Sequence, residues 1–449
     1  MIDIMPMEQH SKGYTLVIGL GVTGKSVARY LTARGDTPWL VDSRENPPGL
    51  DELRHDYPAS PLFTGKFDSD LFGGAECLIV SPGVPLNTPA IQEAMANGVE
   101  VLGDVELFAR QVNAPTVAIT GSNGKSTVTT LVGNMAVAAG IKTAVGGNLG
   151  TPALDLLAQN AGLYVLELSS FQLETTVSLE PAAAAVLNIS PDHMDRYANL
   201  SEYSAAKQRI YKNAETAVIN LDDERVRSMS PRGRVIGFTL SEPGPGDFGL
   251  RWFDQEAWLC HGEHRLMKEG ELRIGGRHNT ANALAALALG TAIGLPIDNM
   301  LDTLREFQGL PHRTQWAGEY RGVKWYNDSK GTNIGASRAA IEGLPGKLVL
   351  IAGGDGKGAD FAELRSVVAD KVRAVVLIGR DAPLIEKALS GAAPIYHAGD
   401  MREAVAVADA HARSGDSVLL SPACASFDMF RDYRQRGEVF MAAVRELQQ

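Results

Sequence analysis

Short apolar runs closed by turn or cap residues recur along the chain and alternate with alanine-rich stretches of helical period. This alternation predicts α/β architecture built on parallel sheets. A first block, about 1–110, holds YTLVIGL, TPWLVDS and ECLIVSPG. A second, about 111–308, opens with PTVAIT and continues through LYVLELSS, AAAAVLNIS and TAVINLDD. Inside it, from about 235 to 277, RVIGFTL, GLRWFDQEAWLCHG and HRLMKEGELRIGG alternate apolar and polar residues between short turns. That texture predicts a small antiparallel β insertion, and a long helix, HNTANALAALALGTAIG, follows it. The third block, about 309–449, returns to the α/β style with VKWYNDS, KLVLIAGG, AVVLIGR and SVLLSPA. Three domains, 1–110, 111–308 and 309–449, are expected to meet around one cleft, where ligands bind. No short-period repeat is present.

Two strand–loop–helix junctions carry glycine loops. In the first, Gly19, Gly21 and Gly24 form G-x-G-x-x-G after a strand, and Asp42 lies 23 residues beyond Gly19 at the end of the next strand. Such glycines let backbone N–H groups approach a pyrophosphate at a helix N-terminus, and the carboxylate lies where a ribose hydroxyl would be. The motif does not distinguish NAD from a UDP-sugar, and a plain tight turn also explains it. The second loop, TGSNGKST, supplies Gly121, Asn123, Gly124, Lys125, Ser126 and Thr127. Gly124-Lys125-Ser126 is the working end of a P-loop: backbone donors around phosphates, an ammonium for the β and γ oxygens, a hydroxyl for Mg²⁺. Ile119 stands where the leading glycine of the full pattern belongs.

A P-loop needs a metal-holding carboxylate at a neighbouring strand end, and Glu167 follows Tyr164-Val165-Leu166 at that place. The next strand ends in PDHMDRY, which puts Asp192, His193 and Asp195 at the same rim. In NLSEYSAAKQRIYKN, Tyr203, Ala206, Ile210 and Tyr211 share a helical face; Lys207 falls inside it, while Glu202, Gln208 and Lys212 point away. Two readings stay open for Lys207. It is a snorkelling lysine whose head reaches water, or an amine partly desolvated beside a metal that captures CO₂ as a carbamate.

Composition narrows the class. The chain is 45% hydrophobic and 21% charged, as a well-packed soluble protein is, and 449 residues exceed one ordinary core. Its 42 Lys and Arg against 53 Asp and Glu give a net charge of -11, which argues against a nucleic-acid-coating surface. No apolar run is long enough to span a membrane, and MIDIMPMEQHSKGY lacks the basic and apolar regions of a secretory signal. Cys77, Cys260 and Cys424 form no CxxC pair, so they read as small buried hydrophobes in a reducing cytoplasm.

Taken together these residues resemble the Mur ligase family, ATP-dependent amide ligases that add amino acids to peptidoglycan precursors. The likeness covers nearly the whole chain. It implies a Rossmann-like N-terminal domain, a central P-loop ATPase-type α/β domain with the antiparallel insertion, and a Rossmann-like C-terminal domain. TGSNGKST, ELSSFQLE, NISPDHMDRY and the AAK around Lys207 resemble its central-domain motifs. NDSKGTN (327–333), GGDGKGAD (353–360) and SPACASFDMF (421–430) resemble the branch that adds D-glutamate to UDP-N-acetylmuramoyl-L-alanine.

The resemblance implies roles. Val22, Thr23, Asp42, Ser43, Arg44, Ser81 and Gly83 would contact the uridine diphosphate of the substrate, and Asn148 would reach it from the central domain. The second loop would hold ATP, with Asn282, Arg313 and Asp328 gripping adenine, phosphates and ribose. One Mg²⁺ would sit on Ser126 and Glu167, a second on His193 and carbamylated Lys207. ATP would phosphorylate the substrate's alanyl carboxylate to an acyl phosphate, with Lys125 shielding the phosphates and Lys330 neutralising the developing charge. Thr332, Lys357, Ser426 and Phe427 would form the D-glutamate pocket, joined by Tyr433 where the family usually has phenylalanine. Read without the family, HNTAN is equally a helix entry with an Asn cap, and Lys357 a solvated loop charge. A hinge is expected near 305–312, and the protein is expected to be a cytoplasmic monomer without nucleic-acid partners. Three alternatives remain: a folylpolyglutamate-type ligase, an NAD-dependent oxidoreductase suggested by GLGVTG alone, and a non-catalytic nucleotide-sensing module that would bind without releasing ADP.

Overall fold

A computed structural model describes residues 13–447. Residues 1–12, on which most of the secretory-signal reading rests, lie outside the described residues. Among the described residues, strands assemble into sheets of five, nine and six, and no helix is long and apolar enough to cross a membrane. By density of contacts the chain forms two interleaved units. One comprises the described part of 1–120 with 141–184 and 206–215; the other comprises 121–140, 185–205 and 216 onward.

In the first unit, five parallel strands lie in the order Leu62–Thr64, Trp39–Asp42, Tyr14–Ile18, Ala75–Val80, Glu100–Leu102. Leu16, Ile18, Val41, Leu78 and Val80 pack with Phe72 and Ile91 into its core. Strand order reverses beside Tyr14–Ile18, which opens a crevice beyond the strand ends. The first glycine loop and the Ser81–Gly83 turn both leave the sheet there. Also in this unit, Leu163–Glu167 pairs in parallel with Thr116–Thr120 on one side and Thr143–Gly147 on the other. The sequence pattern missed Leu62–Thr64, Glu100–Leu102 and Thr143–Gly147, because short or glycine-bearing edge strands leave no apolar run.

In the second unit, Arg234–Phe238 runs parallel to Thr216–Asn220. This corrects the expected insertion: only Phe248–Phe253, Glu256–His261 and His264–Lys268 form antiparallel pairs. Side chains alternate with period two in either direction, so alternation along RVIGFTL does not report strand polarity. Helix Arg277–Ala292 is buried along most of its length. A six-stranded sheet follows, in the order Gln315–Tyr320, Val323–Asn327, Ser417–Leu420, Leu348–Gly353, Val372–Ile378, Ile395–His397. Its one antiparallel pair is a hairpin turning through Arg321 (φ 52°) and Gly322 (φ 74°), the twist that tight hairpins require. NDSKGTN, SPACASFDMF and GGDGKGAD leave the ends of the three adjacent strands Val323–Asn327, Ser417–Leu420 and Leu348–Gly353. Sheet order therefore gathers three loops far apart in sequence at one rim.

Candidate active site

The second glycine loop opens onto helix Lys125–Ala138, whose N-cap is Gly124 at φ 86°. A Cβ on Gly124 would stand 2.3 Å from Asn282 Oδ1, so only glycine lets the loop approach that side chain. Lys125 folds back and donates from Nζ to the carbonyls of Gly121 (2.8 Å) and Ser122 (3.0 Å). Asn188 clamps the loop: the Asn123 N–H donates to its Oδ1 at 2.8 Å, and its Nδ2 donates to the Asn123 carbonyl at 3.0 Å. Ser122 Oγ accepts from the Ser190 N–H at 2.9 Å. The result is a pre-shaped loop at the positive end of a helix, suited to polyphosphate.

Beside it lies a cavity of about 500 Å³ lined by Asn123, Gly124 and Thr127, by His278, Asn279 and Asn282, and by Arg313, Trp316, Tyr326, Asp328 and Lys330. Arg313 Nη2 donates to Ser126 Oγ at 2.6 Å, which joins the third sequence block to the P-loop across 187 residues. Asp328 is buried; its Oδ1 accepts from the Thr314 N–H (3.0 Å) and its Oδ2 from Ser421 Oγ (2.7 Å). Burial outweighs these donors and pushes its carboxyl up to about 6. The Asn-cap reading of HNTAN is corrected, since Gly276 is the N-cap without a side-chain bond and both asparagines lie within the helix. Their amides instead form a ladder: Asn282 Nδ2 donates to Asn279 Oδ1 at 3.2 Å, and Asn279 Nδ2 to the Gly275 carbonyl at 2.9 Å. His278 Nδ1, buried without a hydrogen-bond partner, is a further polar atom on a residue of this wall.

Around the same rim, the Lys330 ammonium sits 4.0 Å from the Tyr433 ring centroid. Lys357, at φ 50°, donates from Nζ to Asp192 Oδ1 at 2.8 Å with its side chain only 20% exposed, so the solvated-loop reading of Lys357 is overturned. Burial pushes Asp192 upward, but Lys357 and His193 outweigh it and hold the carboxyl near about 2. His193 follows at φ 57°, its Nε2 3.7 Å from Asp192 Oδ2. Thr332, Ser426, Phe427 and Tyr433 are not among the cavity-lining residues. Ser426 is buried, whereas Phe427 is 75% exposed.

In the first unit, Asp42 is turned inward rather than toward a ribose. Its Oδ2 accepts from the Leu20 N–H at 2.7 Å, and Arg44 donates to both oxygens from Nε (2.8 Å) and Nη2 (2.7 Å). The carboxylate thus shapes the glycine loop and aims Arg44, while Val22, the first residue of helix Val22–Ala33, stands exposed. Ser81 Oγ donates to the Gly19 carbonyl at 2.7 Å; Gly83 lies on the same turn as Ser81, Ser43 on the loop after Trp39–Asp42, and Thr23 in the first turn of helix Val22–Ala33. Asn148 Nδ2 donates to Glu167 Oε1 at 2.7 Å. Just beyond, Asp155 accepts from Ser26 Oγ (2.9 Å) and from Arg29 Nη1 (2.8 Å), which ties the GGNLG segment to the helix of the first loop. Lys207 is 1% exposed, its Nζ 3.4 Å from Thr120 Oγ1. The snorkelling reading is therefore overturned: the head does not reach water, and burying an ammonium costs several kcal/mol.

Magnesium takes hard oxygen donors and keeps several waters. A hydroxyl at Ser126 and a buried carboxylate at Glu167 fit it; Lys207 fits only as an anion. Among the described residues no three His, Cys, Asp or Glu side chains converge as a ready metal cluster. Sequence reasoning missed Asn188, Asp155 and Asn333. Two of them had a readable signal: Asn188 follows the apolar strand Ala183–Val186, and Asn333 closes NDSKGTN.

Comparison with known proteins decides the family. The Mur ligase middle domain matches residues 119–290, the N-terminal domain of MurD-like Mur ligases 13–103, and the Mur ligase glutamate ligase domain 312–424. The chain belongs to the Mur ligase family. Mur ligases are ATP-dependent ligases of peptidoglycan precursor synthesis. The chain is 54% identical over 446 residues to the UDP-N-acetylmuramoylalanine--D-glutamate ligase of Nitrosococcus oceani, covering 98% of each. It is 54% identical to the Pseudomonas aeruginosa enzyme of that name, covering 97% of this chain and 99% of the relative. Among solved structures, the UDP-N-acetylmuramate-alanine ligase of Thermotoga maritima shares the Mur ligase fold at TM-score 0.60 and 19% identity, covering 96% of this chain and 99% of that one.

Proposed function

We propose that this Mur ligase joins D-glutamate to the alanyl carboxylate of UDP-N-acetylmuramoyl-L-alanine, with ATP converted to ADP and phosphate. The observation that carries this reading is 54% identity along 98% of a relative bearing that name. The three modules 1–110, 111–308 and 309–449 would bind the uridine nucleotide, ATP and the amino acid respectively, in a monomeric cytoplasmic enzyme. The strand-order reversal with its glycine loop supports a pyrophosphate in the first, oriented by Arg44 and reached by Asn148. At the ATP cavity, Lys125 of the second module and Arg313 of the third would supply two cations for the phosphates, while the Asn279–Asn282 ladder of the second and Trp316 of the third suit a base. Asp328, with both oxygens engaged by Thr314 and Ser421, would shape the ribose side.

Transfer of a phosphoryl group to a carboxylate brings two anions together, so the site must supply positive charge at the meeting point. Lys125, Arg313 and Lys330 would do this, Lys330 resting over the Tyr433 ring. Magnesium, when bound by Ser126 and Glu167 and by His193 with a carbamylated Lys207, would supply the remaining charge neutralisation. The buried amine of Lys207 supports that modification, which exchanges a costly cation for a metal-binding anion. Lys357, Thr332, Ser426, Phe427 and Tyr433 would receive D-glutamate, whose two carboxylates need an ammonium and several donors. The irregular segment after helix Ile297–Glu306, with positive φ at Gly309, His312 and Thr314, supports a hinge there.

The deciding experiment is phosphate release with UDP-N-acetylmuramoyl-L-alanine and D-glutamate, compared with L-glutamate, meso-diaminopimelate and L-lysine. Equal turnover with any of the other three sinks the assignment. A Lys207→Ala variant should lose activity and regain part of it with small carboxylates; full activity without them removes the carbamate.

A further inference from the structure

Asn333 closes the NDSKGTN loop, and nothing in the reaction described above uses it. It is 6% exposed. Its Oδ1 caps helix Ile334–Gly343 by accepting from the Ala336 N–H at 2.9 Å. That bond fixes which way the amide faces, because the capping atom must be the oxygen. The nitrogen then points the other way and donates to two groups: Asp192 Oδ2 at 3.1 Å and Asn123 Oδ1 at 3.2 Å. Asn123 returns a bond from its own Nδ2 to Asn333 Oδ1 at 3.3 Å. Asn123 belongs to the P-loop, and Asp192 holds the Lys357 ammonium at 2.8 Å. One amide therefore stands between the phosphate loop and the lysine of the amino-acid pocket.

We propose that Asn333 is a positioning residue that couples nucleotide occupancy of the P-loop to the placement of Lys357 for the incoming amino acid. This rests on the ligase reading above. The Asn333 nitrogen fixes the plane of the Asp192 carboxylate, so that Oδ1 faces Lys357. When the P-loop seats a triphosphate, any turn of the Asn123 amide changes the bonds it exchanges with Asn333. Asn333 passes the change to Asp192, and the grip on Lys357 changes with it. Three side chains from three distant segments thus make the amino-acid pocket sensitive to the nucleotide loop with no direct contact between the two ligands. Their bonds, 3.1–3.3 Å long, are part-buried and reciprocal, so that a turn of one amide must be answered by its neighbour.

The test separates this role from helix capping. Serine is a good N-cap, so Asn333→Ser keeps the cap and deletes the amide nitrogen. In full-length protein, the variant should raise the D-glutamate KM about tenfold with kcat within about threefold, as for loss of a coupled hydrogen bond near a charge. Asn123→Ala should raise the same KM, and the double variant should be no worse than the larger single effect. A D-glutamate KM within twofold of wild type in Asn333→Ser, or effects that multiply in the double variant, overturns the proposal. Should Asn333→Ser unfold, Asn333→Asp retains the capping oxygen and shape but sets a second carboxylate against Asp192. It should show at least the same tenfold change, and an unaltered KM is equally fatal. Calorimetric titration of the amino acid with and without ADP gives a second readout, in which wild type shows nucleotide-dependent affinity that Asn333→Ser lacks. If phosphate release follows another amino acid, the D-glutamate reading falls, while the coupling is judged with that amino acid instead.

Discussion

The tripeptide Gly-Lys-Ser occurs at two strand–helix junctions of this chain, and the two copies are used differently. Gly24-Lys25-Ser26 lies inside helix Val22–Ala33, whereas Gly124 is the N-cap and Lys125 the first residue of helix Lys125–Ala138. One turn of register separates them. In the first, Lys25 points out to Glu52 at 2.7 Å and Ser26 is buried against Asp155. In the second, Lys125 curls over its own loop and Ser126 meets Arg313. A phosphate-binding lysine is thus defined by where the helix starts, since only the first turn presents an ammonium beside the helix's free N–H groups. The neighbouring carboxylates differ too: Asp42 braces the first loop by accepting from the Leu20 N–H, and Asp328 lines the cavity of the second.

The sharpest way to break this comparison is Lys125→Ala, which should lower phosphate release about a thousandfold by removing a preorganised cation from the reacting phosphates. A loss below tenfold would show that the second loop does not carry the chemistry. Next come the glycines. A Cβ at Gly24 would stand 2.0 Å from the Gly19 carbonyl, which is backbone and does not yield. Gly24→Ala should therefore cost roughly 3 kcal/mol in urea unfolding. Gly124→Ala meets a side chain, Asn282 Oδ1, and carries the added strain of alanine at φ 86°, about 1–2 kcal/mol, so it should cost less stability than the backbone clash at Gly24 and raise the ATP KM more. The reverse ranking contradicts the packing described here.

Acidity separates the two carboxylates in sign. Burial raises Asp328 to about 6, above its unfolded value, so stability should fall as pH rises from about 4 to 6, by up to about 3 kcal/mol. Asp328→Asn should flatten that decline in melts taken across the window. Asp42 behaves oppositely: burial pushes it up, but the bonds from Arg44 and the Leu20 N–H outweigh this and hold it low. Its contribution is present above the unfolded value and lost as pH falls toward the folded one, so Asp42→Asn should weaken the dependence on the acid side only. The smallest effect is expected for Lys25→Ala. The Lys25–Glu52 pair is exposed, with Glu52 73% accessible and screened by water, so the melting temperature should stay close to wild type and turnover should move by less than about twofold.

Much of this was legible in the chain. YTLVIGL, PTVAIT and LYVLELSS form strands where their apolar runs stand, and the face of NLSEYSAAKQRIYKN is buried at Tyr203, Ala206, Lys207, Ile210 and Tyr211. TGSNGKST, NDSKGTN and SPACASFDMF were informative because loop chemistry demands particular residues at particular offsets. The fate of Lys207 was not legible, since periodicity gives the face a residue occupies but not the depth at which its head ends. Nor was the role of Asp42, whose spacing from Gly19 is the same whether it grips a ribose or its own loop.

By itself the sequence determined the alternation of strand and helix, the two glycine loops and the family, because backbone pairing, hydrophobic period and turn chemistry act over a few residues. Only the tertiary structure decided that Arg234–Phe238 runs parallel, that Lys357 meets Asp192 across 165 residues, and that Asn333 meets Asn123 across 210. Such pairings depend on which strands become neighbours in a sheet, a choice made by the whole core at once and recorded at no single position.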